Sequence, residues 1–319
     1  MTKFVKFSII ITTMPNRSLH FLIILAFFAQ TSFAQQKGKS ADQTQVIPFE
    51  LNKANNIAIK AILNDRDSIT LMFHTAANEL TLTEEAVHKI KSLKFDGVDT
   101  VKSWGGANNT SRFSKGNILK IGTQKWMDIP IWENKNSGPE TDGKFGLEIF
   151  KGKIIEIDFD KQLIILHSQI PDKIKNYEKL KLSLENEMLF ITATAEIGGK
   201  ALQNKYLLHS GYAGTILFDD QFTSVNKIDE QLIITDEKTL KDSFGNILKT
   251  KKAFLSKFNI GNLELENVPV GFFTGALGRQ KLSIIGCDLL KRYNIIINAD
   301  RTFIYLKTNR LKSLGYSNS

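Results

Sequence analysis

The feature that most constrains the fold of this chain is an internal repeat. Met72-Phe73-His74-Thr75-Ala76 in the first half is answered by Leu207-Leu208-His209-Ser210-Gly211 in the second, an offset of 135 positions. Ile121-Gly122, with Pro130-Ile131 after it, is answered by Ile260-Gly261 and Pro269-Val270, 139 positions on. Gly146-Leu147-Glu148-Ile149-Phe150 is answered by Gly286-Cys287-Asp288-Leu289-Leu290 at 140. That match runs on without a gap through Ile155/Ile295, Ile157/Ile297, Asp160/Asp300 and Leu166/Leu306. Chance similarity between strands does not keep order, spacing and Gly and Pro positions together; a fixed period does so when a structural unit is duplicated. The slow growth of the offset fits single insertions in loops.

Each copy reads mainly as strands. Residues 57–62 and 68–73 flank the turn Asn64-Asp65-Arg66-Asp67, and residues 189–195 and 206–208 flank Gly198-Gly199, both hairpin patterns. Strands ending in Asp158 and Asn298 turn at Asp160-Lys161 and Asp300-Arg301 into the last strand of each copy. Helices are few. Thr83 is placed to cap a helix over 84–93 with Val87, Ile90 and Leu93 on one face and His88 off it, toward solvent. Asp219-Asp220 reads as another helix start, where acidic residues suit the helix dipole. Trp126 and Trp132 bracket Pro130 in a strand pattern and read as core or edge packing before a carbohydrate platform; His167 ends a strand and reads as surface.

The N-terminus reads as a secretory leader. Arg17 precedes the apolar run Phe21–Phe28, and Ser32-Phe33-Ala34 supplies the small-x-small pattern of a cleavage site. Met14 is an alternative start to Met1. The run is shorter than the roughly 20 residues of a membrane-spanning helix, so no span is expected after cleavage. The expected organisation is a signal peptide over 1–34, a linker over 35–47, one lobe over 48–170, a charged inter-lobe linker over 171–182, a second lobe over 183–310 and a tail over 311–319. Export to the periplasm or the exterior follows. The one cysteine, Cys287, allows no internal disulfide and reads as a small buried residue opening a helix after Gly286. The formal charge of +9 loses Lys3, Lys6 and Arg17 with the leader and becomes +6. The remaining lysines are scattered and lack the interleaved aromatics of a nucleic-acid platform, which excludes that class of partner.

The order of hairpin, apolar strand, short polar motif, helix, Gly-rich hairpin, Ile-Gly-to-Pro strand and φ-Gly-x-x-φ turn, given twice, resembles the pepsin- and retropepsin-like aspartic peptidases, over nearly everything from Pro48 to Arg310. The resemblance implies an all-β, bilobal fold of two pseudo-twofold-related barrels. In that family each lobe brings one Asp-Thr/Ser-Gly motif to the base of a cleft, where two carboxylates share a proton and polarise a water. The hydroxyl after each Asp locks the opposite loop, and a flexible hairpin closes over the substrate. Position by position, the motifs fall on His74-Thr75-Ala76 and His209-Ser210-Gly211. Thr75 and Ser210 keep the locking hydroxyls, Gly211 keeps the close backbone approach and Ala76 departs from it. Two places beyond each motif stand Asn78 and Ala213. The first hairpin is expected to centre on Trp104, Gly105, Gly106, Ala107 and Asn108, and the second on 243–246.

Histidine thus stands at both positions where the resemblance implies aspartate, and three readings stay open. The scaffold is kept as a pseudoenzyme that binds an extended peptide in the cleft, as a monomer and with no cofactor. Alternatively, an imidazole–imidazolium pair hydrolyses peptides, since histidine titrates near pH 6.5. In the third reading the two imidazoles supply half of a zinc site; no His-x-x-x-His or clustered carboxylate completes it, and Asn78 or Glu79 is the residue that could approach His74. In all three, His74 and His209 should face each other within roughly 3–7 Å, and at least one should resist protonation.

Overall fold

A computed structural model describes residues 44–102, 108–135, 137–241, 247–275 and 280–317. The expected leader and the two hairpin tips lie outside these residues. So do Trp104, Gly105, Gly106 and Ala107; Asn108 is described only as backbone.

The first copy comprises β1 (Gln45–Pro48), β2 (Glu50–Leu51), β3 (Ile57–Leu63), β4 (Asp67–Phe73), β5 (Leu80–Thr83), β6 (Gly97–Lys102), β7 (Asn108–Ile121), β8 (Gln124–Asn134), β9 (Gly143–Phe145), β10 (Ile154–Asp158) and β11 (Leu163–His167). The second repeats the series as β12 (Glu178–Lys181), β13 (Ser183–Glu185), β14 (Met188–Ile197), β15 (Lys200–His209), β16 (Ile216–Leu217), β17 (Ile234–Lys241), β18 (Ile247–Ile260), β19 (Leu263–Gly275), β20 (Ser283–Gly286), β21 (Tyr293–Ile297) and β22 (Phe303–Thr308).

Local chemistry sets the hairpins. Asn64 and Asp65 turn β3 into β4 with φ of 51° and 55°, a conformation their short polar side chains tolerate. Gly198 and Gly199, at φ 57° and 72°, form the two-residue turn between β14 and β15, whose hand matches the twist of the strands. β3 alternates buried and exposed positions, putting Ile57, Ile59, Ala61 and Leu63 inward.

Two barrels result. In the first, β3, β4, β9, β5, β8 and β7 follow one another, and β3 pairs with β7 at Ile62/Lys120 to close the ring. In the second, β14, β15, β20, β16, β19 and β18 do the same, closed by Thr194/Asn259. The hairpin arms β6–β7 and β17–β18 extend the two rings. A six-stranded sheet, in the order β1, β11, β10, β21, β22, β12, joins the copies. At its centre Ile155 pairs with Ile297, Glu156 with Ile296 and Ile157 with Ile295. Glu156 and Ile296 are repeat equivalents, so the pseudo-twofold axis passes through that pair. The all-β bilobal expectation holds.

Four details differ from the sequence reading. Segment 171–182 is a linker only in its first part: β12 is the second copy of β1, an edge strand whose lysines alternate with Leu180. β1 likewise begins inside the segment read as the N-terminal linker. The helix after Thr83, α1 (Glu84–Lys89), is capped by the Thr83 hydroxyl but stops early. There the Asp67 carboxylate accepts from the amides of Lys91 and Ser92 and draws the chain out of the helix. His167 is mostly buried, bonded to the fully buried Glu156 at 2.8 Å. Elsewhere the reading agrees. His88 is exposed. Asp219 caps α2 (Asp220–Val225), which leads to α3 (Ile228–Gln231). Cys287 opens α4 (Cys287–Leu290), where burial pushes its thiol up to about 12 and removes its reactivity. Residues 311–316 of the tail are tied down through their backbone: the buried Arg292 donates to the carbonyls of Leu311, Lys312, Leu314 and Gly315 and lies over the Tyr316 ring.

Candidate functional site

β4 and β15 each run inside a barrel and end one residue before, or at, a histidine. His74 follows Phe73, and its amide donates to the Phe145 carbonyl of β9. His209 ends β15 opposite Gly286 of β20. After each histidine the chain makes the same tight turn, Ala77 N to His74 O and Tyr212 N to His209 O, both 3.0 Å. The strand that follows then slips between its neighbours, and this crossing explains the paired glycines. A Cβ on Gly146 would lie 1.5 Å from the Ala77 carbonyl oxygen, and one on Gly286 would lie 2.2 Å from that of Gly214. No other residue leaves room for the chain there.

The two turns interlock as the repeat implies. The Thr75 hydroxyl donates to the Leu208 carbonyl at 2.6 Å and accepts from the Ser210 amide at 3.0 Å. The Ser210 hydroxyl donates to the Phe73 carbonyl and accepts from the Thr75 amide, both at 2.9 Å. Four bonds related by the pseudo-twofold axis tie the barrels together at this point. Gly211 gives the close approach expected of it: a Cβ there would lie 2.0 Å from Cδ2 of His74. Ala76, on the other turn, donates its amide to Nδ1 of His74 at 3.1 Å. With Nδ1 an acceptor, the neutral ring carries its proton on Nε2.

The imidazoles meet edge to face, with centroids 4.5 Å apart and planes at 68°. Both sit below the ordinary histidine pKa. Burial holds His74 well down, and His209 and Lys144 add to the effect by repulsion. Burial, with repulsion from Lys144 added, takes His209 to about 4. Nδ1 of His209 is buried and has no hydrogen-bond partner among the described residues. At neutral pH the pair is therefore two uncharged rings beside one ammonium.

Several residues at this junction escaped the sequence reading. Asn55 and Asn56, in the turn between β2 and β3, donate to the carbonyls of Ala213 and Ser210 across the lobes. Glu187, in the turn between β13 and β14, accepts at 2.6 Å from Asn78 of the other lobe, the residue already noted two places beyond the first motif. Lys144 on β9 acts on both histidines. The repeat held the one signal for it: Lys144 stands where the second copy has Ile284, a polar break in an apolar strand. Trp126 packs on Phe150 with centroids 5.9 Å apart, and both Trp126 and Trp132 line a cavity of about 330 Å³ that Asn78 and Glu187 also border.

No protein-family model matches the sequence, and no curated protein matches it significantly. Among solved structures, the aspartic proteinase from Irpex lacteus superposes with a TM-score of 0.57 at 11% identity, over 86% of this chain and 100% of its own. The fold is that of an aspartic proteinase. At this identity the likeness concerns the fold alone, and the chemistry rests with the residues at the junction.

Two carboxylates sharing a proton carry one negative charge, which holds and activates a water. Two neutral imidazoles beside an ammonium carry a positive one. They can accept a proton but offer no anion to hold the water. Nor does the set fit zinc, which takes three or four ligands. Two imidazoles are at hand, Lys144 repels a cation, and no group of three His, Cys, Asp or Glu comes together among the described residues.

Proposed function

We propose that this protein is an exported binder built on a peptidase fold, which receives an extended peptide segment between its barrels and does not cut it by acid-protease chemistry. One observation carries the reading. At the interlocked turns, where a working enzyme of this fold carries its aspartates, stand two buried, uncharged histidines 4.5 Å apart. An acid protease works at pH values where its dyad is singly ionised. At those values the histidine site gains protons and its charges repel. The retained hairpin arms support a cleft still in use, and the four-bond lock holds the two barrels in the arrangement that forms it. Extended peptides bind such clefts largely through main-chain hydrogen bonds, which the altered floor leaves intact. Export rests on the leader pattern of residues 1–34.

A second reading, hydrolysis near neutral pH by the histidine pair, has one observation in its favour. The His209 ring is uncharged at pH 7, and its buried Nδ1 has no hydrogen-bond partner among the described residues, so that nitrogen is not committed to another group.

A cleavage assay on a library of acetylated, amidated peptides at pH 4 and pH 7 separates the readings. The expected result is no product at either pH. Products at pH 4 that a statine-type inhibitor suppresses contradict the proposal, and products at pH 7 that a His209→Asn change abolishes establish the second reading.

A further inference from the structure

On the face that carries it, Lys144 has Met72 of β4 on one side and Thr81 of β5 on the other, each paired with it in register. Residues directly opposite across paired strands share a face. Phe145, the next residue along β9, points the other way into the core. The equivalent face of the second barrel consists of Leu207, Ile284 and Leu217, also in register. Leu207 and Ile284 are buried, so that copy shows what the face looks like when it has only to pack.

The first copy departs from this at two of three positions, and both changes leave a polar group without a partner. Lys144 is half-buried and forms no ion pair or hydrogen bond among the described residues, and burial lowers its ammonium from the usual lysine range. The Thr81 hydroxyl is buried with no partner there. An unpaired ammonium in such a place costs free energy unless an anion meets it. Among the described residues, the groups Lys144 is seen to act on are His74 and His209, and neither is an anion.

We propose that Lys144, with Thr81 beside it, forms a carboxylate subsite next to the histidine pair, so that the peptide held between the barrels is one that presents an acidic group there. The inference rests on the peptide-binding reading and adds to it the class of ligand. The carboxylate comes from an aspartate or glutamate side chain or from a chain end. A hydrogen bond between charged groups exceeds its neutral counterpart by enough to give about a tenfold preference.

The test uses three pools of otherwise identical peptides: amidated with Glu at a fixed central position, amidated with Gln there, and Gln with a free C-terminus. Affinities are measured for the unmodified protein and for Lys144→Met and Lys144→Arg, each checked for folding by circular dichroism. A carboxylate pool should bind about tenfold tighter than amidated Gln. Lys144→Met should abolish that preference and Lys144→Arg should keep it. A preference in the Glu pool assigns the subsite to a side chain, and one confined to the free-ended pool assigns it to a terminus. Equal binding of all three pools, or a preference that survives Lys144→Met, overturns the subsite and leaves the peptide-binding reading standing. Failure of every pool to bind the unmodified protein overturns that reading, and the subsite with it.

Discussion

His74, His209 and Lys144 form one electrostatic unit, and their titrations are its most direct readout. Folded, both rings lie below 6.5; unfolded, they return to it. As pH falls through about 6.5, the unfolded chain takes up protons that the folded chain refuses. Stability from these groups is therefore intact above that pH and declines below it, by about 1.4 kcal/mol per pH unit for each ring until the ring protonates in the folded state. Ring-nitrogen NMR should show both midpoints below 6.5, and Lys144→Met should raise both, because the ammonium opposes both protonations. Midpoints at 6.5, or no response to Lys144→Met, would show that the three groups do not share a site.

Turns and strand ends, rather than whole sheets, place that unit. Each locking hydroxyl both donates and accepts across the lobes, so its removal leaves a buried amide and a buried carbonyl unpaired. Thr75→Val should cost about 2–4 kcal/mol in urea unfolding, and so should Ser210→Ala. The two together should cost less than the sum, since each hydroxyl serves the other's turn. A loss below about 0.5 kcal/mol in either variant, the range of an ordinary surface change, would show that the lock is not structural. These turns were legible in the sequence because the repeat wrote them twice: a short polar motif after an apolar strand, then a glycine that admits a crossing chain. The helix stop at Lys89 was not legible, because the carboxylate that ends it comes from Asp67, on another element. Glu187 was missed in the same way. It sits in the two-residue turn between β13 and β14 of the second lobe, and only the closed fold brings it to Asn78. His167 shows the converse error: its place at a strand end read as surface, but the buried Glu156 holds it in.

Across the whole molecule, the repeat fixes the symmetry, and the departures from it cluster at the proposed site. Pairing of Glu156 with its own equivalent Ile296 puts the twofold axis through the central sheet, and the histidines meet where the turns of the two lobes meet. Symmetric positions that differ are then the informative ones: Lys144 against Ile284, Thr81 against Leu217, Ala76 against Gly211. All three lie at or beside the junction. On the proposed reading, the chain uses the two-barrel frame to hold a peptide, and the uncharged histidine pair leaves it without the negative charge that acid-protease cleavage needs. The measurement that bears on this most directly is retention of a peptide library on the immobilised protein between pH 4 and pH 7, with bound and released material read by mass spectrometry. The account predicts that a subset of peptides is retained and recovered at full length at every pH. Recovery of fragments at pH 4, or retention of no peptide at any pH, would contradict it.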